Sequence, residues 1–389
     1  MSMEEWKEYS LSDIAKYSQG KQIPIQLQYE EKNDSLIRFI RIVDYTSIWN
    51  QPPRYVLQDS KYHIKSDDIV MIRYGTPGKV FRGHEGLIAN NMFKISVNED
   101  IIDKGYAFWY LSLEQVFKQL MSFQASTTMP AISFGMLRNI IMKVPSKTTQ
   151  RKIAKILDTI DDKIEVNRRI NDNLEQQAQA LYKLWFVDNR SEDWEEVKLS
   201  QIVDINKDSI NPSLYPNTIF EHYSLPAYDA EILPVCEKGS DIKSSKFIIN
   251  DNVILFSKLN PRIKRIWLPN PQTEHAICST EFVPYQPKKS EMLGFCYSLL
   301  NSDDFYDFVL SLTNGSTGSH QRFHPKDTLD YNFRVPKIET ISKFEDKVIP
   351  LYRIISKNRI ENQKLTALRD TLLPKLMSGE LNVNDVLVD

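Results

Sequence analysis

Four windows of the chain combine positive charge with hydroxyl and amide side chains and contain no acidic residue. They cover residues 69–84, 115–157, 252–273 and 308–326, although the whole chain has 51 acidic residues in 389. Arg, Lys, Asn, Gln, Ser and Thr are the side chains that contact DNA phosphates and base edges. These windows therefore indicate nucleic-acid binding. The candidate contact residues are Arg73, Tyr74, Lys79, Arg82, Ser126, Thr127, Thr128, Lys258, Asn260, Arg262, Lys264, Ser316, Thr317, His320, Gln321 and Arg322.

One acid-free window alone is more often a solvated loop than a binding site. Here the windows form two pairs that occupy matching places in the two halves of the chain. Residues 69–84 match 252–273, and the loop around Ser126 matches the loop around Ser316. This pairing favours a binding surface over chance.

The sequence contains no motif that indicates catalysis. It has no G-x-G-x-x-G after a strand, no Walker sequence, no H-E-x-x-H and no Asn/Asp-Pro-Pro-Tyr/Phe tetrapeptide. His320 and His324 stand four residues apart, as a metal pair on a helix would, but the neighbouring Gly315, Gly318 and Pro325 favour a loop. We expect no catalytic residue, no metal site and no cofactor in this chain.

Two segments 191 residues apart share the heptad spacing of a coiled coil, and the shared offset holds over ten consecutive seam positions. The first seam contains Ile153, Leu157, Ile160, Ile164, Asn167, Asn171, Leu174, Ala178, Leu181 and Trp185. The second contains Phe344, Val348, Leu351, Ile355, Asn358, Asn362, Leu365, Arg369, Leu372 and Leu376. Two equal seams in one chain most simply pack on each other.

The rest of the chain repeats more loosely, which predicts two related globular domains joined by two long helices. Short β-type runs at 37–43, 69–74, 247–256 and 282–285 alternate with short helices, so we expect an α+β fold. The predicted order is a globular domain at 1–147, a long helix at 148–190, a second globular domain at 191–336, and a long helix with its tail at 337–389. We name the two domains the first head and the second head.

Bulk composition is that of an ordinary cytoplasmic protein. The hydrophobic fraction is 41%, the formal net charge is −2, and no apolar run has the length of a membrane span. The three cysteines, Cys236, Cys278 and Cys296, have no metal-ligand spacing and indicate reduced thiols. A cytoplasmic location is the expectation.

The chain resembles the specificity subunits of type I restriction–modification enzymes. The resemblance covers the whole chain and rests on five stretches: QRKIAKIL (150–157), NRRI (167–170), ILFSKLNPR (254–262), GSTGSHQR (315–322) and LPKLMSGEL (373–381). The first head departs from the pattern, since IRYGTPG (72–78) stands where the second head has FSKLNPR (256–262).

The resemblance implies that each head reads one half of a bipartite site in double-stranded DNA. It further implies that the paired helices set the spacing and dock two methyltransferase (modification) subunits, with restriction/translocase subunits joining that core. S-adenosylmethionine, ATP and magnesium would then belong to the partners. The residues alone leave two other readings open: an adaptor whose two heads bind proteins, and an enzyme with an unfamiliar site.

Antiparallel pairing of the two seams predicts a specific polar layer. If the repeats are related by a pseudo-two-fold axis, Asn167 lies opposite Asn362 and Asn171 lies opposite Asn358. Such a buried polar layer fixes the register at some cost in stability. A seam of 32 residue steps extends about 48 Å, so we expect two separated half-sites rather than a continuous target.

Overall fold

The computed structural model describes residues 6–46, 52–123, 131–313 and 321–385. The chain divides into two compact units. Residues 1–164 and 364–389 form the first unit, and residues 165–363 form the second. Each unit contains one head together with parts of both long helices. Among the described residues, no helix combines the length and the apolarity that a membrane crossing needs.

The first head is built on a four-stranded antiparallel sheet whose middle strand, Ile69–Ile72, is buried at every position. This continuous apolar run is expected of a strand covered on both faces. On one face lie the helices Lys104–Leu111 and Glu114–Ser122. The strand order in this core sheet is Ala15–Gln19, Met92–Val97, Ile69–Ile72 and Val80–Phe81.

A second sheet of four strands completes the first head. Its buried residues and some of those of the core sheet form a smaller hydrophobic core. Its order is Arg54–Leu57, Leu36–Ile40, Gly86–Ile88 and His63–Ile64, and the middle pair is parallel. The remaining elements are the strand pair Lys7–Ser10 and Ile141–Val144, the short helices Leu11–Ile14, Ile42–Thr46 and Phe134–Leu137, and the 3₁₀ turns Ile25–Leu27 and Ser60–Tyr62.

The second head repeats this connectivity strand for strand and adds one strand. Its core sheet has the order Val203–Ile205, Phe282–Pro287, Ile254–Ser257 and Ile266–Trp267. Its second sheet has the order Ser209–Ile210, Lys246–Ile248, Ala276–Cys278, Ile219–Tyr223 and Val235–Lys238, again with one parallel pair.

The elements that surround the two sheets of the second head also match the first head. Glu195–Lys198 pairs with Asn332–Val335, as the first and last strands of the first head pair with each other. The α-helices are Leu225–Glu231, Leu293–Leu300 and Asp303–Ser311. The 3₁₀ turns are Leu199–Gln201, Pro212–Leu214, Gly239–Asp241, Ser290–Met292 and Pro325–Asp330. The predicted α+β fold with an internal repeat is confirmed.

Two predicted strands end earlier than the apolar pattern indicated. The run at 37–43 is a strand only from Leu36 to Ile40, because Asp44 accepts the backbone N–H of Arg41 at 2.7 Å and starts a helical turn. The run at 247–256 is two strands, Lys246–Ile248 and Ile254–Ser257. Between them Asn250 accepts the backbone N–H of Asn252 at 2.9 Å, which closes a turn.

The two long helices are Lys147–Tyr182 and Ile338–Ser378, which we name the central helix and the C-terminal helix. The central helix continues into a π-helical turn at Lys183–Asp188, and the C-terminal helix ends at Gly379 with φ 76°. They form an antiparallel coiled coil. In the first unit Asp161 contacts Arg369, and in the second unit Tyr182 packs on Phe344.

Candidate nucleic-acid interface

In the first head, the segment after the core strand Ile69–Ile72 contacts the segment that begins at Ala131. Arg73 donates its backbone N–H to Asn91 at 2.8 Å, which extends the strand by one residue. Tyr74 then forms a β-bridge with Ala131, and the N–H of Ile132 donates to the Arg73 carbonyl at 3.1 Å. The backbone therefore joins the segment after the core strand to the segment that follows residues 124–130.

The second head joins its two candidate loops in the same way. Lys258 donates its backbone N–H to Glu281 at 2.9 Å, and Leu259 forms a β-bridge with Arg322. The N–H of Asn260 donates to the carbonyl of Gln321 at 2.9 Å. Within each head, the backbone thus joins the segment after the core strand to a segment of the second acid-free window.

Each loop turns at a residue with a left-handed backbone, three positions after the core strand. This residue is Gly75 with φ 93° in the first head and Asn260 with φ 46° in the second. Gly and Asn are the residues that adopt this conformation most readily. Asn260 is thus required for the shape of the loop, whatever its side chain contacts.

The guanidinium of Arg73 is held on several sides. Its Nη1 donates to Oε1 of Gln19, and its Cζ lies 4.9 Å from the ring centroid of Tyr74 and 5.8 Å from that of Phe134. Its Nε is buried and has no hydrogen-bond partner among the residues that the structure describes. A buried donor without a partner costs stability, so this arrangement is costly for folding alone.

Arg82 is engaged by the central helix within the first unit. Its Nη2 contacts Oδ1 of Asp158, which also accepts the indole N–H of Trp109 at 2.7 Å. The guanidinium carbon lies 4.2 Å from the ring centroid of Phe108. These contacts give Arg82 a structural role, whereas Lys79 is exposed.

In the second head, the Arg322 guanidinium forms a two-point ion pair with Glu281. Nε lies 3.1 Å from Oε2 and Nη2 lies 3.2 Å from Oε1. The hydrogen bond and the charge of Glu281 raise the pKa of Arg322. The Arg262 side chain is exposed, and Lys258 is half-buried.

Lys264 points into the second head. Its Nζ donates to the carbonyl of Asn301 at 2.5 Å and lies 5.2 Å from the ring centroid of Tyr306. Burial lowers the pKa of this ammonium. Its neighbour Arg265 is likewise occupied, by an ion pair with Asp229 at 2.6 Å. Of the basic residues in this loop, Arg262 is the exposed arginine.

Six candidate residues lie outside the described residues: Ser126, Thr127, Thr128, Ser316, Thr317 and His320. Conversely, three side chains at the interface were missed by charge and motif analysis. Gln19 and Phe134 position Arg73 from distant parts of the chain, and Glu281 was passed over because it is acidic. No local signal in the sequence indicates the contact of Gln19, because it lies 54 residues from Arg73.

The asparagines of the coiled coil meet in two hydrogen-bonded pairs within the second unit. Asn167 donates to Oδ1 of Asn362 at 2.8 Å, and Asn358 donates to Oδ1 of Asn171 at 2.8 Å. Asn167 also donates to Glu361 at 2.7 Å. Asn167, Asn171 and Asn362 are all less than 10% exposed, so the layer is buried.

Among the described residues, no group of three or more His, Cys, Asp and Glu side chains is assembled as a metal site. The interface in each head therefore consists of basic, amide and aromatic side chains on joined loops. This set can contact phosphates and base edges.

Comparison with known proteins gives a consistent result. Residues 3–176 match the family model of the type I restriction modification DNA specificity domain. The chain is 22% identical over 467 aligned residues to the type I restriction enzyme HindI specificity subunit of Haemophilus influenzae, covering 97% of this chain and all of that protein. It is 25% identical over 329 residues to the MjaIX specificity subunit of Methanocaldococcus jannaschii, covering 77% and 74% of the two chains.

A solved structure shares the fold. The type I restriction–modification S subunit from M. genitalium superposes with a TM-score of 0.63 over 97% of both chains, at 16% sequence identity. At that identity the likeness concerns the arrangement of elements. It matches the two-headed repeat described above.

Proposed function

We propose that the chain is a specificity subunit of a type I restriction–modification system, a non-catalytic DNA-recognition component. The match of residues 3–176 to the DNA specificity domain and the alignment of two specificity subunits over most of the chain support this proposal. Each head binds one half of a bipartite target in double-stranded DNA. The joined loops after the strands Ile69–Ile72 and Ile254–Ser257 carry the base and phosphate contacts. The heads span residues 1–147 and 191–336.

One observation carries this proposal: the two heads share the backbone bridges between their loops but differ in the side chains of the bridged segments. Both heads join their loops by the same backbone bridges, Tyr74 with Ala131 and Leu259 with Arg322. The side chains of those segments differ, as expected if each head reads a different half-site. An adaptor that binds proteins, the alternative that the sequence left open, is not favoured by the match to a DNA specificity domain.

In this proposal the coiled coil of the central helix and the C-terminal helix, which correspond to the predicted segments 148–190 and 337–389, sets the gap between the half-sites. The buried asparagine pairs support this role, because a polar layer fixes the register of two helices. The helices also dock two methyltransferase subunits, and restriction/translocase subunits join the complex. S-adenosylmethionine, ATP and Mg²⁺ are used by those partners.

Co-expression with a cognate methyltransferase subunit tests the proposal. The two proteins should co-purify, and sequencing of the host DNA for methylated bases should reveal two short half-sites around a non-specific gap. Binding of the purified complex to a duplex with that target should weaken steeply as salt rises, since phosphate contacts release counterions. A methylated target without a gap, or no methylation, contradicts the proposal.

A further inference from the structure

Two arginines at the candidate interface, Arg73 and Arg322, are each held in one orientation by neighbouring side chains. Gln19 and the rings of Tyr74 and Phe134 hold Arg73. Glu281 holds Arg322 through two contacts of 3.1 and 3.2 Å. The neighbouring Arg262 is exposed.

A guanidinium of fixed orientation suits base reading better than phosphate binding. Phosphates accept hydrogen bonds from many directions, so a mobile Lys or Arg serves them well. The O6 and N7 atoms of guanine accept two parallel N–H bonds in one plane, and Arg is the side chain that matches this pattern in the major groove. A guanidinium that is already oriented before binding loses less conformational entropy when it binds.

We infer that Arg73 and Arg322 each read a guanine in the half-site of their own head, and that Gln19 and Glu281 are the positioning residues. This inference rests on the proposed function and adds the base that each head requires. Two N–H donors on one edge of a guanidinium are enough to reach O6 and N7 of a guanine.

The cost of each arrangement supports this assignment. The Nε of Arg73 is buried and finds no partner in the described part of the chain, which folding alone does not favour. Arg322 and Glu281 have side chains 43% and 29% exposed, and their two parallel contacts fix the direction of the guanidinium more than they add to stability. A carboxylate beside a DNA-binding loop also repels phosphates. Orientation of the arginine explains why a Glu occupies this place.

Replacing guanine by 7-deazaguanine in the mapped target tests the inference directly, because this base lacks the N7 acceptor. With the complete complex of specificity and methyltransferase subunits, one such replacement in each half-site should weaken binding roughly ten- to hundredfold. Arg322→Ala should remove the sensitivity in the second half-site and leave that in the first. Arg73→Ala should do the opposite.

Two further variants separate base reading from charge. Arg322→Lys keeps the charge but lacks the planar fork, so specific binding should fall while binding to an unrelated duplex stays the same. Glu281→Gln removes a negative charge, which by Coulomb's law alone should raise affinity for any DNA. If Glu281 positions Arg322, the variant instead loses specific affinity severalfold. Glu274→Gln, at a 90% exposed carboxylate of the same head, is the matched charge control.

Melting temperatures of the variants show that they fold, and the outcomes are distinct. A mapped half-site without guanine, or an Arg322→Ala complex that still discriminates 7-deazaguanine, overturns the inference while the bipartite target stands. Glu281→Gln binding specific DNA more tightly overturns the positioning role. Failure of the proposed function shows earlier, as the absence of a bipartite methylated target.

Discussion

The two heads join their loops by the same backbone bridges, but each head holds an arginine with different residues. In the first head the arginine follows the core strand and is stacked between Tyr74 and Phe134. In the second head the arginine lies on the opposing segment, at the bridge with Leu259, and a carboxylate holds it. Bridges made by backbone atoms tolerate any side chain that suits the local φ and ψ. These backbone bridges can therefore stay constant while the residues proposed to contact DNA diverge.

The two heads also differ in how the N-termini of two matching helices are capped. The helix Lys104–Leu111 is capped by the Asp103 side chain, which accepts the N–H groups of Gly105 and Tyr106. The matching helix Leu293–Leu300 has no such cap from Met292. Instead Glu345 of the C-terminal helix accepts the N–H groups of Gly294 and Phe295 at 3.0 and 2.6 Å.

Exchange of a whole head is the strongest test of how independent the two heads are. Residues 191–336 should be replaceable by the corresponding head of another specificity subunit. The chimera should methylate a target with a new second half-site, while the first half-site and the gap stay unchanged. Discrimination against the old half-site should be on the order of 10³-fold, as for specific over non-specific DNA binding. Methylation mapping in which both half-sites change would show that the heads do not act separately.

The asparagine layer gives the next largest effect, on stability. Asn362→Leu leaves the amide of Asn167 without its 2.8 Å acceptor in the buried layer and should destabilise the fold by about 1–3 kcal/mol. Asn171→Leu, at the position matched by the repeat, should cost a similar amount because it orphans Asn358. Thermal or denaturant unfolding measures both.

The exposed Asn173→Leu on the central helix is the control for loss of a surface amide. Replacing Asn167 and Asn362 together with Leu should recover much of the lost stability, since neither buried amide is then left without its partner amide. If the single variants are as mild as Asn173→Leu, the layer does not hold the register.

The spacing of apolar residues and the composition of the chain predicted its helices and its repeat. The side-chain contacts at the interface could not be predicted in this way, because they join distant parts of the chain. The ten matched seam positions predicted two long helices and their antiparallel pairing, because heptad spacing is a local property. Gln19 meets Arg73 across 54 residues, and Glu281 meets Arg322 across 41. No spacing rule relates such residues. Charge pattern also selected Lys264, although its ammonium bonds to Asn301.

Glu345 should make stability depend on pH. Burial raises its pKa from the ordinary 4.5 to about 7. The folded state therefore binds the proton more tightly than the unfolded state, and this group stabilises the fold most below about pH 4.5. As the pH rises from 4.5 to about 7 this contribution is lost, with a slope of at most about 1.4 kcal/mol per pH unit.

Glu345→Gln should flatten that decline in the free energy of unfolding. Glu339→Gln, at an exposed carboxylate in the first turn of the same helix, should leave the decline intact. Unfolding measured between pH 4.5 and 7.5 compares the two. The first unit, where Ala154 occupies the place that matches Glu345, supplies no such dependence from this position. An unchanged slope in Glu345→Gln would mean that other groups dominate.

The smallest effect is expected at Arg82, and it separates structural from DNA-contacting basic residues in the first head. Arg82 pairs with Asp158 and stacks on Phe108, and its side chain is 23% exposed. Arg82→Ala should lower stability by about 1 kcal/mol through the lost cation–π and ion-pair contacts. Specific DNA affinity should stay within twofold, whereas Arg73→Ala should reduce it severalfold or more while lowering stability less. The measurements are a melting curve and a binding titration for each variant. An Arg82→Ala protein with normal melting and weakened DNA binding would return Arg82 to the DNA-contacting set, since its ion pair with Asp158 would then have to open on the target.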